Sequence, residues 1–497
     1  MSAPDDRTPR DVAVIDIGSN SVRLVVYRLE GRAIWTVYNE KVLAGLGSEL
    51  METGRLSTGG VEDAMAALRR FSALLDASRP SELFVAATAA VREAADGEAF
   101  VLRVMAETGL SVRVLTGAEE ARYAALGVLA GTPTASGLVG DLGGASLELT
   151  RIDEGQVGDG ITLPLGAFNL RGQDGFDHGR VRAHAAKVLK PVEDEFASET
   201  LFAVGGGWRN LALLQMRIAS YPLRIVHQYE MSAVDALDAA RFIARQSKGS
   251  LERIEGVSRR RMETLPYAAV VLEMLIERLG LKRIVLSAYG LREGLLLETM
   301  PEAVRALDPL VEGCEALGQR QGVSDDLGAA LADWIDPVFS SLPPVFEDRD
   351  RTLVASACRL ADMGARLHPD HRADMVFDQV LRAPIAGVGH AERAFLAVAM
   401  FARHTASASP PEAQTLARVL STERMARARA LGAAMRLGCD LSGRSADLLR
   451  RSSLSIDDEV ITLKADGRWA DMLLGEQTAK RAATLADQLE VGLRMGA

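Results

Sequence analysis

The chain has 497 residues, 48% hydrophobic and 25% charged, with a formal net charge of −10; it is too long for one core, and about three globular domains are expected. The acidic excess is spread along the chain, so no basic domain is available to hold duplex nucleic acid, and a polyanion would have to be gripped by local basic clusters. Three distant cysteines, Cys314, Cys358 and Cys439, exclude a disulfide framework or a CxxC metal pair, and a polar N-terminus without a signal-like apolar run predicts a cytoplasmic protein with no membrane span.

After a loose tail over residues 1–10, Val12–Asp16, Val22–Tyr27 and Ile34–Tyr38 alternate as a meander of strands, with a turn at Glu30-Gly31. Glu62–Leu75 places Met65, Leu68, Phe71 and Leu75 on one helical face. Leu83–Ala87 reads as a buried strand, and Val112–Leu115 as another that runs into the helix TGAEEARYAALGVLA. The order βββαβαβα predicts a mixed sheet with helices on its faces. A second such unit follows: the strand Leu138–Leu149 with its internal turn, a strand end and turn at Leu163–Ala167, a helix over Val181–Phe196, and Leu201–Val204 leading into Gly205-Gly206-Gly207. That glycine run lacks the Lys-Ser/Thr of a Walker motif. Tyr267–Leu279 is a helix, Ile284–Leu286 a strand, and Ser287–Gly294 opens a last helix. From about Ala303 the pattern turns helical, over Leu353–Leu367, Ala391–His404 and Glu423–Leu437, with a hairpin over Leu454–Ala465.

Two stretches carry chemistry. VAVIDIGSNSVRLV (12–25) and LVGDLGGASLEL (138–149) share one design, in which Asp16 matches Asp141, Gly18 matches Gly143 and Ser21 matches Ser146. Each is a strand, a glycine-containing turn and a strand. Such a turn lets backbone approach a ligand and offers successive N–H groups to phosphate oxygens. One Asp-Gly turn is everyday hairpin punctuation; two in register imply related domains facing one phosphate chain. The phosphate cradles are Gly18, Ser19, Asn20 and Ser21 on one side and Gly143, Gly144, Ala145 and Ser146 on the other. Asp141 and Glu148 flank the second cradle with carboxylates suited to Mg²⁺.

The motifs DIGSNSVRL (16–24), TAAVREA (88–94), TGAEEAR (116–122), DLGGASLEL (141–149), LPLGA (163–167), AVGGGWRNLA (203–212) and SAYGLREG (287–294) occur in this order. The chain thereby resembles the exopolyphosphatase/guanosine pentaphosphate phosphohydrolase family, within the sugar-kinase, actin and heat-shock ATPase superfamily. The resemblance implies an α/β protein with two ribonuclease-H-like domains, over 11–130 and 131–305, and a cleft between them. A mostly α-helical HD-like domain follows over 306–497. Its metal-binding dyad position reads Ala361-Asp362, so a ligand is missing there. His368, His371, His390 and His404 lack a convincing ligand spacing and are read as surface or packing residues. Substrate binding or dimerisation, and a homodimer, are what the resemblance implies for this domain.

The same resemblance implies Mg²⁺ dependence and hydrolysis of terminal phosphates. Arg92 offers a fork of donors that suits phosphate, and Glu120 aligns with the family's catalytic glutamate, placed to orient or deprotonate water. Its neighbour Glu119 fits a capping box with Thr116 and has a structural task. Arg23 and Lys41 are weaker phosphate ligands, and Arg182–Lys190 with Arg259–Arg261 are solvated faces or, less simply, a polyanion track. The expected function is Mg²⁺-dependent release of orthophosphate from inorganic polyphosphate. The alternative within that chemistry is conversion of guanosine pentaphosphate to tetraphosphate. Rivals of other classes are an ATP-dependent small-molecule kinase and a non-catalytic alarmone-binding regulator.

Overall fold

The computed structural model describes residues 8–172, 175–246, 249–250, 263–407 and 409–496. It divides into two compact units, residues 1–306 and 307–497. The predicted basic run Arg259–Arg261 lies outside the described residues.

The first unit holds two sheets of one design. The first lobe comprises β1 (Arg10–Ile17), β2 (Val22–Glu30), β3 (Ala33–Val42), α1 (Thr58–Ser78), β4 (Glu82–Ala87), α2 (Ala89–Glu93), α3 (Gly97–Thr108), β5 (Arg113–Val114) and α4 (Gly117–Gly131). The second comprises β6 (Gly137–Leu142), β7 (Leu147–Asp153), β8 (Gln156–Leu163), α5 (His178–Leu189), β9 (Thr200–Val204), α6 (Gly206–Ile218), β10 (Tyr229–Ser232), α7 (Ala233–Arg245), α8 (Leu265–Leu279), β11 (Arg283–Leu286) and α9 (Leu291–Thr299). The strand orders are β3-β2-β1-β4-β5 and β10-β11-β9-β6-β7-β8. Read from β8, the second repeats the first and adds β10 at the far edge. In both, an antiparallel meander is extended by strands parallel to its first member.

Apolar faces set the layers. Met65, Leu68, Phe71 and Leu75 of α1 are buried on Ile15, Ile17 and Leu24, while Trp208, Leu211 and the α8 leucines cover the second sheet. The faces of the two sheets that remain share a third core with α4 and α9, including Tyr123, Val128, Leu291 and Leu295. There the two helices meet backbone to backbone. A Cβ on Gly294 would fall 1.9 Å from the Tyr123 carbonyl oxygen, and one on Gly127 would fall 2.0 Å from that of Gly290. Only glycine permits this approach. The crossing ties the lobes together at the helix ends that carry Glu120 and Arg292.

Three predicted elements differ from the structure. The helix expected over Val181–Phe196 ends at Leu189; Pro191, which has no N–H to donate, sits in a 3₁₀ turn at Lys190–Val192, and Glu193–Phe196 starts afresh. The strand expected over Val112–Leu115 pairs only at Arg113 and Val114. The helix expected over Leu353–Leu367 stops at Leu360, and the chain turns through Gly364 at φ +78°.

The second unit is mostly helical: α10 (Pro309–Arg320), α11 (Asp325–Phe339), α12 (Asp350–Leu360), α13 (Arg372–Arg382), α14 (His390–His404), α15 (Thr422–Ser442) and α16 (Glu476–Leu489). The expected hairpin is β12 (Ser452–Asp457) with β13 (Val460–Ala465), and β14 (Gly492–Gly496) joins it parallel to β13. No helix among the described residues is long and apolar enough to cross a membrane.

Candidate active site

The β1–β2 and β6–β7 turns are built alike. Gly18 N–H donates to Ser21 O at 2.9 Å, and Gly143 N–H donates to Ser146 O at 2.9 Å. The carbonyls inside each turn are tied back to protein. Ser19 O accepts from Gly47 N–H (2.8 Å) and Asn20 O from Gly45 N–H (3.2 Å); Gly144 O accepts from Phe168 N–H (2.9 Å) and Ala145 O from Gly166 N–H (3.0 Å). The LPLGA motif therefore braces the second turn, as residues 45–47 brace the first. The N–H groups of Ser19, Asn20, Gly144 and Ala145 donate to no backbone carbonyl among the described residues. Two sets of free donors are thus held by anchored carbonyls, the arrangement that receives an anion. The turns also lie close: a Cβ on Gly144 would sit 3.3 Å from Ser19 Cβ.

These turns line a cleft of about 270 Å³ between the lobes. The N-terminus of α6 enters it through Gly206 and Gly207, behind Gly205 at φ +107°, where a Cβ would fall 2.4 Å from Leu142 O. The carboxylates lining the cleft are Asp16, Glu120, Asp141 and Glu148, and the cations are Arg23, Lys41, Arg209 and Arg292. Strand register places them. Asp141 faces Glu148 across β6–β7, and at the matching positions Asp16 faces Arg23 across β1–β2. The duplicated frame therefore carries two carboxylates on one side and a carboxylate with an arginine on the other.

Glu119 and Glu120 separate as their spacing predicts. Thr116 Oγ1 accepts from Glu119 N–H at 3.2 Å, and Thr116 N–H donates to Glu119 Oε2 at 2.8 Å, closing the capping box of α4. Glu120 is buried in the cleft wall and accepts a hydrogen bond from Arg92 Nη1 at 2.9 Å. The same Nη1 donates to Leu115 O at 2.8 Å, so Arg92 is held by the groups beside α4. Burial raises the Glu120 carboxyl above the ordinary glutamate range, against the pull of Arg92. Burial, then Glu120 and Asp16, push Asp141 up to about 7. Burial, then Glu120 and Asp141, raise Glu148 well above its usual range. Glu148 Oε1 is buried without a hydrogen-bond partner. A cation beside Asp141 and Glu148 would favour their charged forms.

Arg292, Arg209 and Asp16 were not among the predicted site residues. Arg292 Nη1 donates to Asp16 Oδ2 at 3.1 Å, and its Nε is buried without an acceptor. Next to it, Glu293 accepts from Tyr27 Oη at 2.6 Å and from Gly290 N–H at 2.9 Å, pinning the start of α9 to β2. A signal for Arg292 was present in SAYGLREG and one for Arg209 in AVGGGWRNLA, as one for Asp16 was in the duplication. Arg23 lines the cleft as expected, where burial and Arg292 lower it from the ordinary arginine value. Arg182 is taken up by Glu273 (2.9 Å) and Glu277 (2.6 Å), so it is not free to serve a polyanion track.

Residues 25–303 match the Ppx/GppA phosphatase family, and residues 310–494 match the exopolyphosphatase C-terminal family. Among solved structures, the Ppx/GppA family member of Aquifex aeolicus is 28% identical, with a TM-score of 0.51, over 58% of this chain and 96% of that one. An exopolyphosphatase from Cytophaga hutchinsonii shares the fold at 22% identity and a TM-score of 0.54, over 59% of this chain and 98% of that one.

Proposed function

This chain belongs to the Ppx/GppA phosphatase family, and from that premise we propose that its cleft hydrolyses the terminal phosphoanhydride of inorganic polyphosphate, releasing orthophosphate. The observation that carries the reading is the pair of turns with anchored carbonyls and free N–H groups, set beside buried carboxylates. Glu120 orients a water and takes its proton as the water oxygen bonds to the terminal phosphorus; the bridging P–O bond breaks, and its oxygen leaves with the shortened chain. The raised affinity of the Glu120 carboxyl for protons suits this task. Arg92 fixes the Glu120 carboxylate and is a positioning residue in this scheme. The free N–H groups with Arg23, Arg209 and Arg292 hold the phosphate oxygens.

Mg²⁺ fits the residues present. Asp141 and Glu148 would hold it, Glu148 offering a buried oxygen with no other partner. Among the described residues no three acidic, His or Cys side chains form a cage, so water and substrate oxygens would complete the shell, the usual state of this ion. Its contribution when bound is neutralisation of phosphate charge.

Our choice of polyphosphate over guanosine pentaphosphate is supported by the cleft wall, where Phe168 is the single aromatic among the described lining residues. A nucleobase would gain from flat apolar faces that this wall offers only once. Phosphate release from long polyphosphate and from guanosine pentaphosphate, with and without Mg²⁺, tests the reading. Mg²⁺-dependent release that is faster from polyphosphate is expected; preference for the nucleotide overturns the substrate, and no release from either overturns the hydrolysis.

A further inference from the structure

Lys41 lines the cleft, yet simple alternation along its strand would turn it away. At the start of β3, Ile34 faces Leu29 and Thr36 faces Tyr27 on β2. Continued without a break, that register would set Glu40 opposite Arg23. It is broken at Val37, which is exposed and pairs with nothing on β2, because the next pair is Tyr38 with Val26. The extra residue is a β-bulge, and it moves every side chain beyond it to the other face of the sheet. Asn39 and Lys41 come to the face of Asp16 and Arg23, where Arg23 Nε donates to Asn39 Oδ1 at 2.8 Å. Glu40 is turned to the opposite face, where it accepts from Arg70 Nε of α1 at 2.7 Å.

Asp16, Arg23 and Lys41 therefore stand in one row across β1, β2 and β3, about 5 Å from strand to strand. The row runs outward: Asp16 and Arg23 are half-buried and Lys41 is exposed. The matching row of the second lobe, across β6, β7 and β8, reads Asp141, Glu148 and Thr162. One row is acidic, as a metal ion requires, and the other carries two cations towards the rim. Building on the hydrolytic reading of the cleft, we propose that Lys41, delivered by the bulge at Val37, is a further substrate-binding residue. It takes a phosphate behind the terminal one and so makes the cleft select chains of several phosphates. With the terminal group held at the turns beside Asp16, later phosphates pass Arg23 and then Lys41, whose ammonium is a point charge on a flexible stem that can follow their oxygens. Glu40 in the same place would repel them.

Steady-state phosphate release from tripolyphosphate at saturating Mg²⁺ tests this. In Lys41→Gln, KM should rise about tenfold, the scale of one charge-assisted contact, with kcat within about twofold. Lys41→Arg should recover most of the loss, and Lys41→Glu should deepen it. Glu40→Gln, on the other face of the same strand, should keep the parent's KM. The constant for inhibition by orthophosphate, which fills only the terminal place, should stay within about twofold in Lys41→Gln; an equal rise there would put Lys41 at the terminal phosphate and overturn the placement. Deleting Val37 should carry Glu40 into the row and raise KM at least as far as Lys41→Gln, and a folded deletion variant with the parent's KM would remove the bulge as the cause. Should the deletion variant fail to fold, the Lys41 series still decides. The parent's KM in both Lys41→Gln and Lys41→Glu overturns the proposal while hydrolysis by the parent stands, whereas no release by the parent counts against the hydrolytic reading itself.

Discussion

Glu119 closes the cap of α4 through Thr116, while Glu120, one residue on, lies buried against Arg92 in the cleft wall. Glu119→Gln keeps an oxygen for the Thr116 N–H and should leave turnover within about twofold of the parent. Glu120→Gln keeps the shape but cannot accept a proton, and turnover should fall by roughly 10²–10⁴-fold with little change in melting temperature. Steady-state kinetics beside a thermal melt separates the two; a reversed order would mean that another group activates the water. Gly143 permits a second test. The nearest atom to a Cβ there is Ser146 O at 3.5 Å, an ordinary contact, and its φ is not left-handed. The protein itself leaves room for a methyl group at this point, so its effect would fall on what the turn receives. Gly143→Ala should fold like the parent and lose affinity for phosphate, seen as a raised KM; an unchanged KM would assign the glycine to turn formation only.

At the scale of elements, the crossing of α4 and α9 decides where Glu120 and Arg292 stand. A methyl group on Gly294 would meet the Tyr123 carbonyl at 1.9 Å, a backbone atom that cannot swing away. Gly294→Ala should therefore cost about 3 kcal/mol or more, at or above the upper end for overpacking, and depress turnover as the helices part. Gly59 on α1 is the control. Nothing lies within 4 Å of a Cβ there, and Gly59→Ala should stabilise by about 0.4–1 kcal/mol through the unfolded chain and helix propensity. Urea unfolding of both variants measures the contrast, and equal effects would remove the crossing as a determinant. The elements themselves were largely legible, because α1 repeats its apolar residues at helical spacing and β1, β2, β6 and β7 are apolar strands joined by marked turns. The misjudged ones failed for local reasons: Pro191 broke a periodic run, and Gly364 turned the chain where apolar spacing continued.

For the whole molecule, acid sensitivity is expected to have a contribution from the second unit. His404 is pushed down to about 3 in the folded chain, against about 6.5 when unfolded. Its neutral form is favoured by folding. Its contribution to stability is thus fully present above about 6.5 and is lost progressively as pH falls towards 3, where the unfolded chain binds a proton that the folded one refuses. His404→Gln can still donate to Met363 O and has no proton to gain, so its unfolding free energy should fall less between pH 6.5 and 4.5 than the parent's. Denaturant unfolding across that range checks the slope; parallel curves would place the acid sensitivity elsewhere.

The sequence by itself determined the duplicated turns, the second cradle's flanking acids, the capping box and the change to a helical C-terminal unit. Each of these is written within a few neighbouring residues, where turn chemistry and periodicity act. Only the tertiary structure decided that Arg92 clamps Glu120 and that Arg292 reaches back 276 residues to Asp16. Those pairings join residues far apart in the chain. They depend on glycine-sized approaches between helices and on strand register across two sheets, which no local pattern encodes.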